Sequence, residues 1–182
     1  MTKHFIEYLL TAALAVMTAQ SCVSKIDPIF DESSANRVEA LAERLNETLT
    51  GAPNGWLLEY YPSSGQYYGG FNVFLSFSEG NKVKVGSEVA GKGETATSTD
   101  SIYQSAGCVM TLDTYNEVMH YFADPETTGG QGAGFGFEGD FEFNVLDLQD
   151  EKITLKGRKT GSTMTLSPMA VSMSWDDYIV AL

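Results

Sequence analysis

From Gly55 onward, apolar side chains recur at every second position in short runs broken by glycine, proline and polar turn residues. A period of two belongs to the β-strand, whose successive side chains point to opposite faces, so this part of the chain reads as sheet. Trp56, Leu58 and Tyr60 alternate with Leu57, Glu59 and Tyr61 before Pro62-Ser63-Ser64-Gly65 breaks the run. Phe71, Val73, Leu75 and Phe77 share a face of the next strand, and Val83 and Val85 continue it after a Gly80-Asn81 hairpin turn. The polar stretch 91–101 reads as a loop followed by an edge strand, and 101–105 and 108–112 as a strand pair around Ala106-Gly107. Residues 115–123 suggest a short helix stopped by Asp124-Pro125. A long strand is expected over 137–148, with Phe141, Phe143 and Val145 on one side and Asp140, Glu142 and Asn144 on the wet side. Turns at Asp150-Glu151 and Thr160-Gly161-Ser162 lead into strands over 152–158 and 163–166, and Ser174 is placed to cap a final helical segment.

About eight short strands in sequential order close most economically as an antiparallel meander barrel, lipocalin-like, because closure leaves no exposed edge. A two-layer β-sandwich is the alternative that periodicity leaves open. The class is mainly β with one N-terminal helix: Val38, Leu41, Ala42, Leu45 and Leu49 form a single apolar stripe. Asn36 with Glu39 offers a capping-box-like start to that helix, and Gly51 with Pro53 ends it.

The segment 1–21 has the form of an export signal. Lys3 gives a positive start, Tyr8 to Ala19 is apolar but short for a membrane span, and small residues Ala19 and Ser21 precede Cys22. A cysteine at that point is the acceptor of a lipobox, so Cys22 is expected to carry lipid and to anchor the chain, with 22–32 as a tether and 33–182 as the β-rich domain. Glu7 and Gln20 depart from the usual pattern, and a plain secretory signal or an amphipathic helix are the other readings. With 11 Lys+Arg against 24 Asp+Glu the net charge is -13. Such a surface repels nucleic acid and gains nothing from anionic lipid, so membrane attachment is expected through the N-terminal lipid alone.

Several stretches look familiar: 36–49, Ala52-Pro53-Asn54-Gly55-Trp56-Leu57-Leu58-Glu59-Tyr60-Tyr61-Pro62, Tyr68-Gly69-Gly70-Phe71-Asn72, 120–125 and 155–161. Together they resemble a family of Bacteroidetes lipoproteins known as domain of unknown function 4302. That resemblance implies an envelope lipoprotein of the outer membrane, facing the periplasm or the surface, often encoded near nutrient-uptake genes and without assigned catalytic residues. Its members are longer, which implies a further domain after Leu182.

No residue set announces chemistry. Gly134, Gly136 and Gly139 give a formal GxGxxG, but a strand follows where a dinucleotide site needs a helix, so 129–139 reads as a flexible loop at a barrel mouth. Asp113, Asp124, Glu126, Glu138, Asp140 and Glu142 lack EF-hand spacing, and no metal or cofactor is expected. Cys108 lies in an apolar run and reads as a buried small hydrophobe, with His120 as the one mature histidine that a thiol nucleophile could use. Aromatics remain. Tyr61, Tyr67, Tyr68 and Phe135 lie in or beside glycine-rich loops and are the candidate ligand-stacking residues, Tyr67 and Tyr68 first, because exposed tyrosines in such a loop are harder to explain as packing. The leading expectation is a non-catalytic binding or accessory lipoprotein that helps capture a glycan, a peptide or a small apolar ligand. A structural or interaction spacer, and a carboxylate-dependent hydrolase, are the alternatives. An open, aromatic-lined cavity marks the first, a filled barrel with an exposed apolar patch the second, and two acids converging in one cleft the third.

Overall fold

The first helix, α1 (Ser34–Gly51), begins one turn before its apolar stripe. Ser33 stays extended and its Oγ accepts the Asn36 amide at 3.2 Å, which makes Ser33 the cap and puts Asn36 inside the first turn. This corrects the start expected at Asn36. The computed structural model describes residues 31–126 and 134–182, so the expected export signal, Cys22, most of the expected tether and 127–133 of the glycine-rich stretch lie outside the described residues. Ser33 to Leu182 form one unit.

Eight strands follow: β1 (Trp56–Tyr60), β2 (Phe71–Ser78), β3 (Lys82–Ser87), β4 (Thr95–Gln104), β5 (Cys108–Leu112), β6 (Glu142–Gln149), β7 (Lys152–Gly157) and β8 (Thr163–Pro168). Each pairs antiparallel with the next, and β8 pairs with β1 to close the barrel. The sandwich alternative is thereby removed. Positive φ at Gly80 and Asn81 makes the β2–β3 hairpin, as the sequence suggested. Two short helices, α2 (Glu117–His120) and α3 (Trp175–Val180), complete the fold.

Two strand boundaries differ from expectation. β4 begins at Thr95 and pairs with both β3 and β5, so it is neither a loop nor an edge. Its inward positions are Ala96, Ser98, Asp100 and Ile102, too polar to register as a buried strand face. β6 begins at Glu142 because Gly136 and Glu138 both have positive φ, which no strand tolerates. A register shift between Val145 and Asp147 then leaves Leu146 exposed.

The interior is filled. Trp56, Leu58, Tyr60, Val73, Leu75, Val83, Val85, Met110, Phe143, Ile153, Leu155 and Leu166 are all at most 1 % exposed. Eight-stranded barrels are just wide enough for side chains to fill, and large aromatics here do so. Both ends are sealed. At the end where β1 begins, Leu45 and Leu49 of α1 join the core, and the Trp56 indole N–H donates to the Leu49 carbonyl at 2.9 Å. At the other end Phe122, fully buried, packs on Tyr60 and Phe71 with ring centroids 4.8 and 5.0 Å away. Outside the barrel, Trp175 of α3 stacks on Phe74 at 5.6 Å, which explains why an outward-facing residue of β2 is buried. Phe77 and Phe143 belong to the core, and Phe71 and Phe141 are partly buried against it.

Candidate functional site

The loops at the Phe122 end carry the residues that the sequence singled out. In the β1–β2 loop, Ser63, Gln66 and Gly69 adopt positive φ, and these tight turns bend the chain back on itself. Tyr67 lies over Gly65, where any Cβ would collide with its ring, and still exposes 75 % of its surface. Tyr68 is tied down instead: its ring meets Phe137 edge-on at 5.3 Å, and its buried hydroxyl has no hydrogen-bond partner. Tyr61 packs against Gly70, again at a distance that excludes a Cβ. It lines an open cleft of about 300 Å³ with Glu59, Phe71 and Asn72. Phe135 is 58 % exposed on the β5–β6 connection. The Tyr68–Phe137 contact joins the two loops, so all four nominated aromatics share one rim. They do not converge on a single cavity.

A second cleft on this rim was not legible in the sequence. It measures about 360 Å³ and is lined by Val89, Ala90, Ala96, Val118 and Tyr121, with Glu94 and Glu117 among its walls. Its residues come from the β3–β4 loop, β4 and α2, and no local pattern links them. Neither rim cleft has a lysine or arginine in its lining.

Behind the rim stands a rigid polar staple. The Tyr60 hydroxyl donates to the Asp140 carbonyl at 2.9 Å and accepts the Asp140 amide at 2.7 Å. Burial pushes that hydroxyl's pKa far up, so it remains protonated. The Asp140 carboxylate accepts the Lys159 amide at 2.7 Å, the Thr160 amide at 3.2 Å and the Thr160 hydroxyl. At 3 % exposure Asp140 is not on a wet strand face, which corrects the sequence expectation. It holds the β7–β8 hairpin against the rim. Gly139 allows this approach, since a Cβ there would run into the Tyr60 hydroxyl and Phe122.

The thiol of Cys108 is 2 % exposed, and burial raises its pKa, the reverse of what a nucleophile needs. His120 stacks on Phe141 at 4.5 Å, and burial lowers its pKa, which disfavours the charged ring. Both behave as packing groups. Among the described residues, no three His, Cys, Asp or Glu side chains gather as a metal cluster, and no helix is long and apolar enough to cross a membrane.

Neither a curated protein nor a solved structure matches the chain. A family model described as a domain of unknown function, DUF4302, matches residues 26–181, which spans α1, the whole barrel and all of α3. The chain therefore belongs to the DUF4302 family.

Proposed function

We propose that this domain is a non-catalytic binding module of the cell envelope, held at a membrane by lipid on Cys22, that engages its ligand across the rim of a filled barrel. The filled and doubly sealed interior removes the cavity expected of a ligand-binding barrel, so the reading rests on the exposed rim aromatics Tyr67 and Phe135 and the clefts beside them. A small apolar ligand enclosed in the barrel has no space among those core side chains. A glycan or an extended peptide suits the rim better. Tyr67 and Phe135 offer exposed aromatic faces, while Glu59, Asn72, Glu94 and Glu117 supply hydrogen-bonding groups in the neighbouring clefts.

The test is a titration of the mature chain with soluble oligosaccharides and peptides, repeated on a Tyr67→Ala/Phe135→Ala double variant. A ligand bound by the native chain should lose roughly tenfold or more in affinity, as exposed aromatic anchors do when truncated. Unchanged affinity would move the site away from this rim. Cys22→Ser is expected to release the protein from the membrane fraction, and retention there would refute the lipid anchor.

A second reading, an interaction or spacer module, is favoured by the filled barrel together with an exposed apolar patch. Val171, Met173, Val180 and Leu182, in and around α3, are 75, 40, 69 and 64 % exposed. A hydrolase has less support, since the acid most enclosed near the rim, Asp140, is committed to three hydrogen-bond donors of the β7–β8 hairpin.

A further inference from the structure

At the opposite end of the barrel, a cleft of about 280 Å³ opens between α1, the β2–β3 turn and β4. Residues with oxygen-bearing side chains line it from all three segments: Glu43 and Asn46 of α1, Asn81 of the turn and Asp100 of β4. No lysine, arginine or histidine lines it. Asp100 is the unusual member. It faces inward beside Leu112, is 5 % exposed, and its Oδ1 is buried with no hydrogen-bond partner. Its backbone is fixed, with the amide donating to the Asn81 carbonyl at 3.2 Å. The neighbouring acid Asp113 is satisfied by the Ser101 hydroxyl at 2.9 Å and offers Asp100 only a like charge.

A carboxylate oxygen buried without a donor is a costly arrangement, and native structures resolve it by protonation, by water or by a cation. We infer that the α1–β4 cleft is a divalent-cation site that takes calcium, with Asp100 and Glu43 as charged ligands and Asn46 and Asn81 as amide-oxygen ligands.

The donor chemistry selects the ion. All four groups offer oxygen, and hard cations take oxygen where zinc and copper take imidazole or thiolate. Magnesium demands near-ideal octahedral geometry, whereas calcium accepts an irregular shell completed by water, which suits ligands drawn from three separate segments. Two carboxylates and a solvent-open cleft place the affinity with the weaker extracellular calcium modules, roughly 10⁻⁴–10⁻³ M. The site joins α1 to the barrel wall, so bound calcium would tighten the seal that Leu45 and Leu49 make. This inference is independent of the ligand site proposed on the opposite rim.

Thermal unfolding of the mature protein in calcium chloride, against sodium chloride at equal ionic strength, tests it. The sodium control removes general screening of the net charge of -13. At about ten times the dissociation constant, calcium should raise Tm by roughly 3–6 °C more than sodium does. Asp100→Asn should abolish that increment and, by removing a buried charge, unfold no earlier than the calcium-free native protein. Glu43→Gln, on a surface of α1, should keep the fold and weaken the response. No calcium-specific shift in the native protein, or an equal shift in Asp100→Asn, would overturn the site. Should Asp100→Asn not fold, calorimetric titration of the native protein and Glu43→Gln decides, and absence of one-to-one binding in the native protein refutes it.

Discussion

Replacing Phe122 by alanine is expected to lower stability by about 3–5 kcal/mol, the range for truncating a fully buried phenylalanine. Its ring contacts Tyr60 at 4.8 Å, Phe71 at 5.0 Å, Tyr121 at 5.4 Å and Phe137 at 6.0 Å between centroids. These neighbours come from β1, β2, the turn after α2 and the β5–β6 connection, so the loss is felt across the whole seal. The rigid strands below cannot collapse to fill the space, which keeps the cavity cost high. Urea unfolding should show a lower midpoint with an unchanged slope, because the chain still unfolds the same surface. A loss below about 1 kcal/mol, less than any ordinary cavity penalty, would mean that Phe122 does not plug the barrel.

Asp140→Ala is expected to cost about 3–4 kcal/mol: three hydrogen bonds to a charged group, each worth roughly 1.5–3 kcal/mol, are lost together, and water reaching the freed donors offsets part of that sum. The Lys159 and Thr160 amides would need water in place of the carboxylate, and the Thr160 hydroxyl would lose its acceptor. Asp140→Asn should fall between, because one amide oxygen remains while an NH₂ now faces donors. Gly157→Ala provides an independent check on the same contact. A Cβ at Gly157 would sit 2.1 Å from the Asp140 Oδ2, so the carboxylate must move or the hairpin must open. The two changes should therefore be strongly non-additive in a double-mutant cycle. Additive losses would show that Asp140 does not hold that hairpin.

Much of this fold was legible because its strands obey a strict period of two. Trp56, Leu58 and Tyr60, or Ile153 and Leu155, announce an inward face without any tertiary knowledge. Turns at Gly80-Asn81 and the α1 stripe ending in Leu45 and Leu49 were equally local in origin. What escaped depends on distant partners. Phe74 is buried only because α3, a hundred residues further on, lays Trp175 and Tyr178 across it. Asp140 looks like a solvated residue until the β7–β8 hairpin folds back to it. Asp100 hides in a serine- and threonine-rich run, and its burial comes from α1 covering that face of β4.

The aromatic nominations divide for the same reason. Tyr67 and Phe135 stand exposed as their glycine-rich surroundings suggested, Tyr61 borders a cleft, and Tyr68 is consumed by Phe137. Sequence could identify aromatic loops. Only the fold tells which rings remain free to meet a ligand, since that depends on the partner loop 134–141.

The filled barrel can be probed most directly by titrating a fluorescent fatty acid into the mature protein. Energy transfer from Trp56, buried in the core at 1 % exposure, reports entry when Trp175 is replaced by Phe. The native interior should give no saturable transfer, because Trp56 is surrounded by packed side chains and sealed at both ends. Saturable one-to-one transfer that Tyr67→Ala/Phe135→Ala leaves unchanged would show an accessible cavity and contradict binding confined to the outer rim.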